Sequence, residues 1–220
     1  MKNKGIACFL AMTILVSFAR GQGTFQNLNF EEARNLPVPG AGQDVPTTNA
    51  LPGWTAHYGT NQLSTIPYDF PSIYPKVGLW DSNSSAFIIE GVFSVALGGG
   101  SISQSGFVPT NAMSLMFSAY FIGSVHALDV SLDGQSFPFF PLSSTPNYTV
   151  YGAEIGAFGG QAASLRFAGT GYMLDNIAFS SEPIPEPSAA ALAVLCCGGL
   201  LLARCLLRIG DSSERVTASQ

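Results

Sequence analysis

Between residues 87 and 180 the sequence is a succession of short apolar runs separated by Gly, Pro, Asn and Ser, a pattern that leaves little choice of fold. The runs are rich in Phe, Val, Ile, Leu and Tyr and have the length of strands. They cover residues 87–90, 93–97, 101–107, 114–120, 128–132, 135–140, 149–151, 164–168 and 172–180. We find no amphipathic helix between them. The spacing therefore predicts an all-β sandwich.

Three local signals refine this prediction. Asp133-Gly134 lies between two runs and predicts a two-residue hairpin, because both central residues of a type I′ turn need positive φ. Leu115, Phe117 and Ala119 alternate with more polar residues and should form the core face of their strand. Residues 98–100, three consecutive glycines, are interpreted as a hairpin connection.

The segment from residue 22 to about residue 85 is looser and richer in Pro and Asn. It should contain a first strand near residues 28–31. Residues 35–49 hold several Pro and Gly residues and are predicted to be a surface excursion between strands.

The N-terminus has the parts of a secretory signal peptide. Lys2 and Lys4 precede an uncharged stretch, and Ala19-Arg20-Gly21 places small residues at the two positions that a signal peptidase tests. We predict that residues 1–21 are removed and that the rest of the chain is exported.

Near the C-terminus, a Pro-rich spacer over residues 181–187 leads into an apolar segment. A helix over residues 188–207 has the 20 residues that a bilayer span needs, but it includes Arg204. The guanidinium must then reach the interface along its aliphatic stem, so insertion is favourable but shallow. The polar residues 209–220 follow.

Pro185-Glu186-Pro187, followed directly by the apolar segment and arginines, resembles the PEP-CTERM sorting signal of Gram-negative bacteria over residues 185–208. The resemblance implies an exosortase-type membrane protease as partner and delivery to the cell surface or the extracellular matrix. Contact with the cytoplasmic membrane through the helix is then either transient, if the protease removes the tail, or permanent, if the tail stays as a single-span anchor.

Charge and cysteine usage restrict the partners of the body between the two ends. Residues 22–182 carry three basic and eleven acidic residues, a formal charge of −8. Such a body excludes nucleic acid as a partner and could attract divalent cations. All four cysteines lie outside these residues, which excludes a disulfide, a thiol nucleophile and Cys-ligated zinc.

Residues 29–32, 51–54 and 174–179 together resemble the galactose-binding-like jelly-roll domains, which include many carbohydrate-binding modules. The resemblance implies a jelly-roll-like antiparallel β-sandwich over residues 22–180. It also implies a structural calcium ion held by Glu31 or Glu32 and by Asp175. In the alternative interpretation no cofactor is bound, the glutamates are solvated and Asp175 caps a turn.

Sugar binding requires exposed aromatic faces beside hydrogen-bonding side chains. Trp54, Tyr58 and Trp80 are the candidate ligand-binding residues, although tryptophans in a small β-sandwich more often lie in the core. The two histidines, His57 and His126, are far apart in sequence, and we find no nucleophile motif or phosphate-binding loop. We predict a non-catalytic exported protein with exopolysaccharide as a further partner. The alternative is a secreted carbohydrate-active enzyme, which needs two carboxylates about 5–10 Å apart in an open cleft.

Overall fold

The structure, a computed structural model, describes residues 24–40, 42–70, 76–83, 88–122 and 127–184. These residues confirm the all-β prediction, since almost all of the regular structure belongs to one mixed sheet of twelve strands. The strands are β1 (Gln43–Pro46), β2 (Thr55–Tyr58), β3 (Asn61–Leu63), β4 (Thr65–Tyr68), β5 (Val77–Asp81), β6 (Phe93–Phe107), β7 (Ser114–Phe121), β8 (Ala127–Leu132), β9 (Gln135–Ser136), β10 (Phe140–Ser144), β11 (Thr149–Glu154) and β12 (Ala162–Ser180).

Helical structure in the described ranges is limited to the four residues of α1 (Thr47–Ala50) and a 3₁₀ turn at Gly156–Phe158. Neither approaches the length and apolar character that a membrane-spanning helix requires, and no other helix among the described residues does. The predicted signal peptide and the predicted C-terminal helix lie outside these ranges.

Two long strands, β6 and β12, organise the sheet because each contributes to two groups of strands. The first group, here the front half, has the order β1-β4-β5-β6-β12-β7-β11-β10, and the second, the back half, has the order β3-β2-β6-β12-β8-β9. The antiparallel pairing of β6 with β12 runs from Ala162 opposite Phe107 to Leu174 opposite Val95 and belongs to both halves. Strands that pass from one layer to the other at a bend are typical of packed sheets with corners.

Glycines allow both long strands to bend, and here the sequence prediction was wrong. Residues 98–100 do not connect two strands in a hairpin, because β6 runs through them without interruption. The two predicted strands at 164–168 and 172–180 are likewise one strand, β12. Gly99 and Gly171 have positive φ angles of 105° and 75°, and the β6–β12 register shifts on both sides of Thr170. The glycines therefore bend paired strands.

The core lies between the two halves. Phe117 on β7 in the front half meets Phe167 on the back-half part of β12, with ring centroids 5.3 Å apart in an edge-to-face arrangement. Both rings are fully buried, in one continuous apolar cluster. This contact across the halves makes the architecture sandwich-like.

The segment before β2 departs from the prediction in two places. Residues 28–31 form turns instead of a strand, because Asn27 and Phe30 adopt positive φ angles of 49° and 59°. Residues 35–49, predicted to be a surface excursion, contain β1, which pairs with β4 and buries Val45. β1 ends the front half, and a sheet edge tolerates its terminal Pro46. The sheet is mixed rather than wholly antiparallel because β4 and β5 are parallel where Tyr68 lies opposite Leu79.

Later elements follow the prediction more closely. Asp133 and Gly134 have φ angles of 48° and 78° and join β8 to β9 as a two-residue hairpin, as predicted. The core face of β7 is also confirmed, since Leu115, Phe117 and Ala119 are all buried. Residues 88–90 are not in a strand, and the strand predicted at 135–140 is interrupted after Ser136.

Candidate functional site

The first candidate site surrounds Asp175, the aspartate predicted in the last strand. Its side chain is 1% exposed, and hydrogen-bond donors surround both oxygens. Oδ2 accepts from the Ser94 hydroxyl at 2.8 Å and from the Glu90 N–H at 3.3 Å, while Oδ1 accepts from the Asn176 N–H at 2.7 Å. Asp175 therefore joins β12 to β6 and to the segment that precedes β6.

Glu31 reaches the same place from the N-terminal turns. Its Oε1 accepts the N–H groups of Val92 at 2.9 Å and Phe93 at 3.0 Å. A further carboxylate, that of Glu90, accepts from the Asn176 side-chain amide. We call Glu31, Glu90, Ser94, Asp175 and Asn176 the acidic junction. Glu32 is not part of the junction: its N–H donates to Asn27 Oδ1 at 3.1 Å, and its side chain is exposed.

Burial raises the pKa of Asp175 to about 7, and the negative charge of Glu31 adds to the rise. The hydrogen bonds from Ser94, Asn176 and Glu90 act in the opposite direction because they stabilise the charged form. Desolvation is the larger effect. The junction therefore holds a carboxyl group that titrates near neutral pH.

Of the three residues predicted to hold calcium, Glu31 lies close enough to Asp175 for its charge to act on that carboxyl group, and Glu32 is exposed. Among the described residues, no group of three or more His, Cys, Asp or Glu side chains is arranged to hold a metal ion. Calcium needs six to eight oxygen ligands. The oxygens of Asp175 instead face N–H and O–H donors.

Because N–H and O–H donors face both oxygens of Asp175, we expect millimolar calcium to leave the melting temperature of the protein unchanged relative to a sample with chelator. A ligand at 100 times its dissociation constant would add about 2.7 kcal/mol, a rise of about 5 °C or more for a protein of this size. Differential scanning calorimetry measures this directly. A calcium-dependent rise that disappears in Asp175→Asn would instead establish a structural calcium site.

The predicted aromatic residues separate into buried and exposed ones. Trp54 is 4% exposed, packs against Phe30 and donates its indole N–H to the Asn27 carbonyl at 3.0 Å. Trp80 is 7% exposed. Neither tryptophan presents the exposed face that a sugar platform needs. Both are core residues and not the predicted stacking residues. Tyr58 is 44% exposed and stays a candidate for stacking.

Tyr58 stands beside the second candidate site, a groove of about 340 Å³ in the back half. The groove lies where the glycine-containing bends of β6 and β12 meet the hairpin between β2 and β3. Its lining includes Gly59, Gly99, Asp129, Arg166, Gly169 and Thr170. A Cβ atom added to Gly99 would lie 3.7 Å from Thr170 Oγ1 and 3.8 Å from Tyr58 Cε2. Tyr58 therefore flanks the groove at this glycine.

Charged groups surround this groove, which we call the bend groove. Arg166 on β12 and Asp129 on β8 form an ion pair with Nη1 3.5 Å from Oδ2, and both side chains are nearly half exposed. The Lys76 ammonium lies 4.4 Å from the centroid of the Tyr58 ring, in a cation–π contact. The groove thus offers donors, an acceptor and an aromatic face together.

Two further aspartates, Asp69 and Asp81, are buried instead of facing an open cleft. The Tyr68 hydroxyl donates to Asp81 Oδ2 at 2.5 Å, and burial together with this aspartate raises the Tyr68 pKa. The Gly40 N–H donates to Asp69 Oδ2. These carboxylates therefore hold loops and strand ends together.

The sequence alone did not single out Arg166 or Lys76, and it assigned Asp129 no binding role. The sequence did contain one signal for Arg166 and Lys76, because they are two of only three basic residues in a body of charge −8. The predicted sorting residues Pro185, Glu186 and Pro187 lie outside the described residues. Comparison of the chain with protein-family models, curated proteins and solved structures found no match.

Proposed function

We propose that this chain is a non-catalytic, exported bacterial protein of the cell surface or extracellular matrix that binds glycan. It is sorted through its PEP-CTERM signal, with an exosortase-type membrane protease as partner. Its body is a jelly-roll-like sandwich, a proposal supported by the two halves that share β6 and β12 and by the Phe117–Phe167 contact between them.

The observation that carries the binding proposal is the bend groove. It is open, lined by small residues and flanked by an exposed tyrosine. A sugar ring offers apolar C–H faces and a rim of hydroxyls, so it suits an aromatic face beside paired donors and acceptors. Tyr58 supplies the face, Arg166 the donors and Asp129 the acceptor.

The end of the described chain fixes where the proposed sorting signal would begin. After β12, residues 181–184 of the predicted spacer stay on the body: the Glu182 carbonyl accepts from the Ser114 hydroxyl at 2.6 Å, and the Ile184 N–H donates to the Glu154 carboxylate. Ile184 is 8% exposed and approaches Gly152 closely. The predicted signal thus begins directly after a residue that is docked on the body.

Intact-mass measurement of the protein recovered from the cell surface and the medium tests the sorting proposal. We expect a chain that begins near Gln22 and ends near Pro187, because the signal peptidase and the membrane protease would remove the two ends. Full-length Glu186→Ala is the matched variant and should keep its C-terminal residues. A wild-type protein that keeps residues 188–220 would contradict processing and support a permanent anchor.

Calorimetry with neutral and acidic oligosaccharides tests the binding proposal. We expect heat of binding with at least one glycan, weakened in Tyr58→Ala because the stacking face is lost. Absence of binding to every glycan would reduce the protein to a structural component of the surface.

A further inference from the structure

The charges of the body are arranged unevenly around the bend groove. The body carries eleven acidic and three basic residues, yet two of the three basic side chains, Lys76 and Arg166, belong to the groove and its flank. Together with Asp129, these two side chains carry a net charge of +1, against −8 for the body as a whole. A ligand that brings negative charge is attracted there and repelled elsewhere on the body.

Arg166 has binding capacity beyond its ion pair. The contact with Asp129 uses Nη1 at a distance of 3.5 Å, which is long for a charge-assisted hydrogen bond. A guanidinium carries five N–H donors in a planar fork that matches a carboxylate. Among the described residues, no hydrogen bond engages the other donors of Arg166, so a bidentate contact to an incoming carboxylate is compatible with the pair.

The sheet register places Arg166 on the outside of the back half. Leu165 and Phe167, its neighbours along β12, are fully buried and face the core, so Arg166 points to the opposite face. Arg166 lies opposite Ser131 on β8, and Asp129 lies two residues from Ser131, on the same face. Diagonal neighbours of this kind lie within reach of long side chains.

Small residues deepen the surface next to the ion pair. Ala168 lies opposite Asp129 on one side and opposite Ser101 on the other, and Gly99, Gly100 and Gly169 complete this part of the lining. Leu128 borders this part at Gly169, where an added Cβ atom would lie 3.1 Å from its Cδ1, and the other lining residues named here are small. A flat ring therefore has room to lie over the bend, with its edge towards Arg166.

We propose that the bend groove binds a carboxylate-bearing sugar, such as a uronic acid residue of an acidic polysaccharide. The Arg166 guanidinium holds the carboxylate, Lys76 adds positive charge from its position over one face of the Tyr58 ring, and Asp129 accepts a sugar hydroxyl. The inference rests on the proposed glycan-binding function and specifies the class of ligand at the same site.

The test uses matched probes in which methyl esterification removes the negative charge of each carboxylate. Oligosaccharides of galacturonate, mannuronate and glucuronate are titrated into the full-length chain in mild detergent, each as the free acid and as its methyl ester. We expect at least one free acid to bind about tenfold or more tightly than its ester, and the difference to shrink with added salt as screening increases.

Arg166→Gln should weaken binding of the acid about tenfold and binding of the ester by clearly less, because the ester loses only neutral hydrogen bonds, and Lys76→Gln should act in the same direction. Arg34→Gln is the matched control, because it removes the third cation of the body, at an exposed residue outside the groove lining. Melting curves verify that each variant is folded.

The outcomes separate the two proposals. If acids and esters bind equally well, or if Arg34→Gln has the same effect as Arg166→Gln, glycan binding stands and the carboxylate-specific groove is overturned. If none of the acids or esters binds and neutral glycans fail as well, the glycan-binding function itself is wrong.

Discussion

Gly100→Ala is expected to lower the free energy of unfolding by about 3 kcal/mol or more. Gly100 is buried in β6 where that strand bends, and a Cβ atom there would lie 2.2 Å from the Lys76 carbonyl oxygen and 2.7 Å from its carbonyl carbon. These are backbone atoms immediately before β5, so relief requires that two paired strands move apart. Urea unfolding followed by circular dichroism measures the loss.

Gly156→Ala is the matched control for this substitution. The added methyl group would meet only the Met113 side chain and backbone at 3.5 Å or more, which is ordinary van der Waals contact. We expect a change of less than about 1 kcal/mol at this position. Equal losses at positions 100 and 156 would show that the β5–β6 approach is not as close as described.

Asp175 is expected to make the protein less stable as the pH rises from 5 to 8. Its pKa is about 7 in the folded protein because of burial, against about 4 in an unfolded chain. The folded state therefore binds more protons between these values, so the stabilising contribution of this group is full below pH 4 and is lost as the pH approaches and passes 7. The expected decrease from pH 5 to pH 8 is on the order of 2–3 kcal/mol.

Asp175→Asn isolates this effect, because an amide of the same shape does not titrate. Denaturant unfolding of both proteins at pH 5, 6, 7 and 8 gives the difference in their free energies of unfolding at each pH. We expect the free energy of unfolding of Asp175→Asn to rise relative to that of the wild-type protein as the pH rises. Parallel stability curves for the two proteins would contradict a raised pKa at Asp175.

Features that depend on neighbouring residues were predictable from the sequence. The turn at Asp133-Gly134 needs positive φ at two adjacent residues, and Asp-Gly supplies both at small cost. The core face of β7 follows from the two-residue period of a strand.

Features that depend on distant residues were not predictable in the same way. Three consecutive glycines suit a turn as well as a bent strand, and the difference lies in the Lys76 carbonyl that Gly100 must accommodate. The bend groove brings together residues from β8 and β12 beside the β2–β3 hairpin, and only the strand order places Arg166 near Asp129. The burial of Trp54 likewise depends on Phe30, whose turn conformation replaced the predicted strand.

If the proposed C-terminal segment enters a bilayer, the docking of Ile184 on the body limits how far the folded domain can stand from the lipid surface. Only residues 185–187 separate this fixed point from the segment predicted to enter the bilayer at residue 188. Three fully extended residues span roughly 10 Å. Before processing, the tether would hold the domain against the head groups, and a protease that acts on Pro185-Glu186-Pro187 would have to work in that gap.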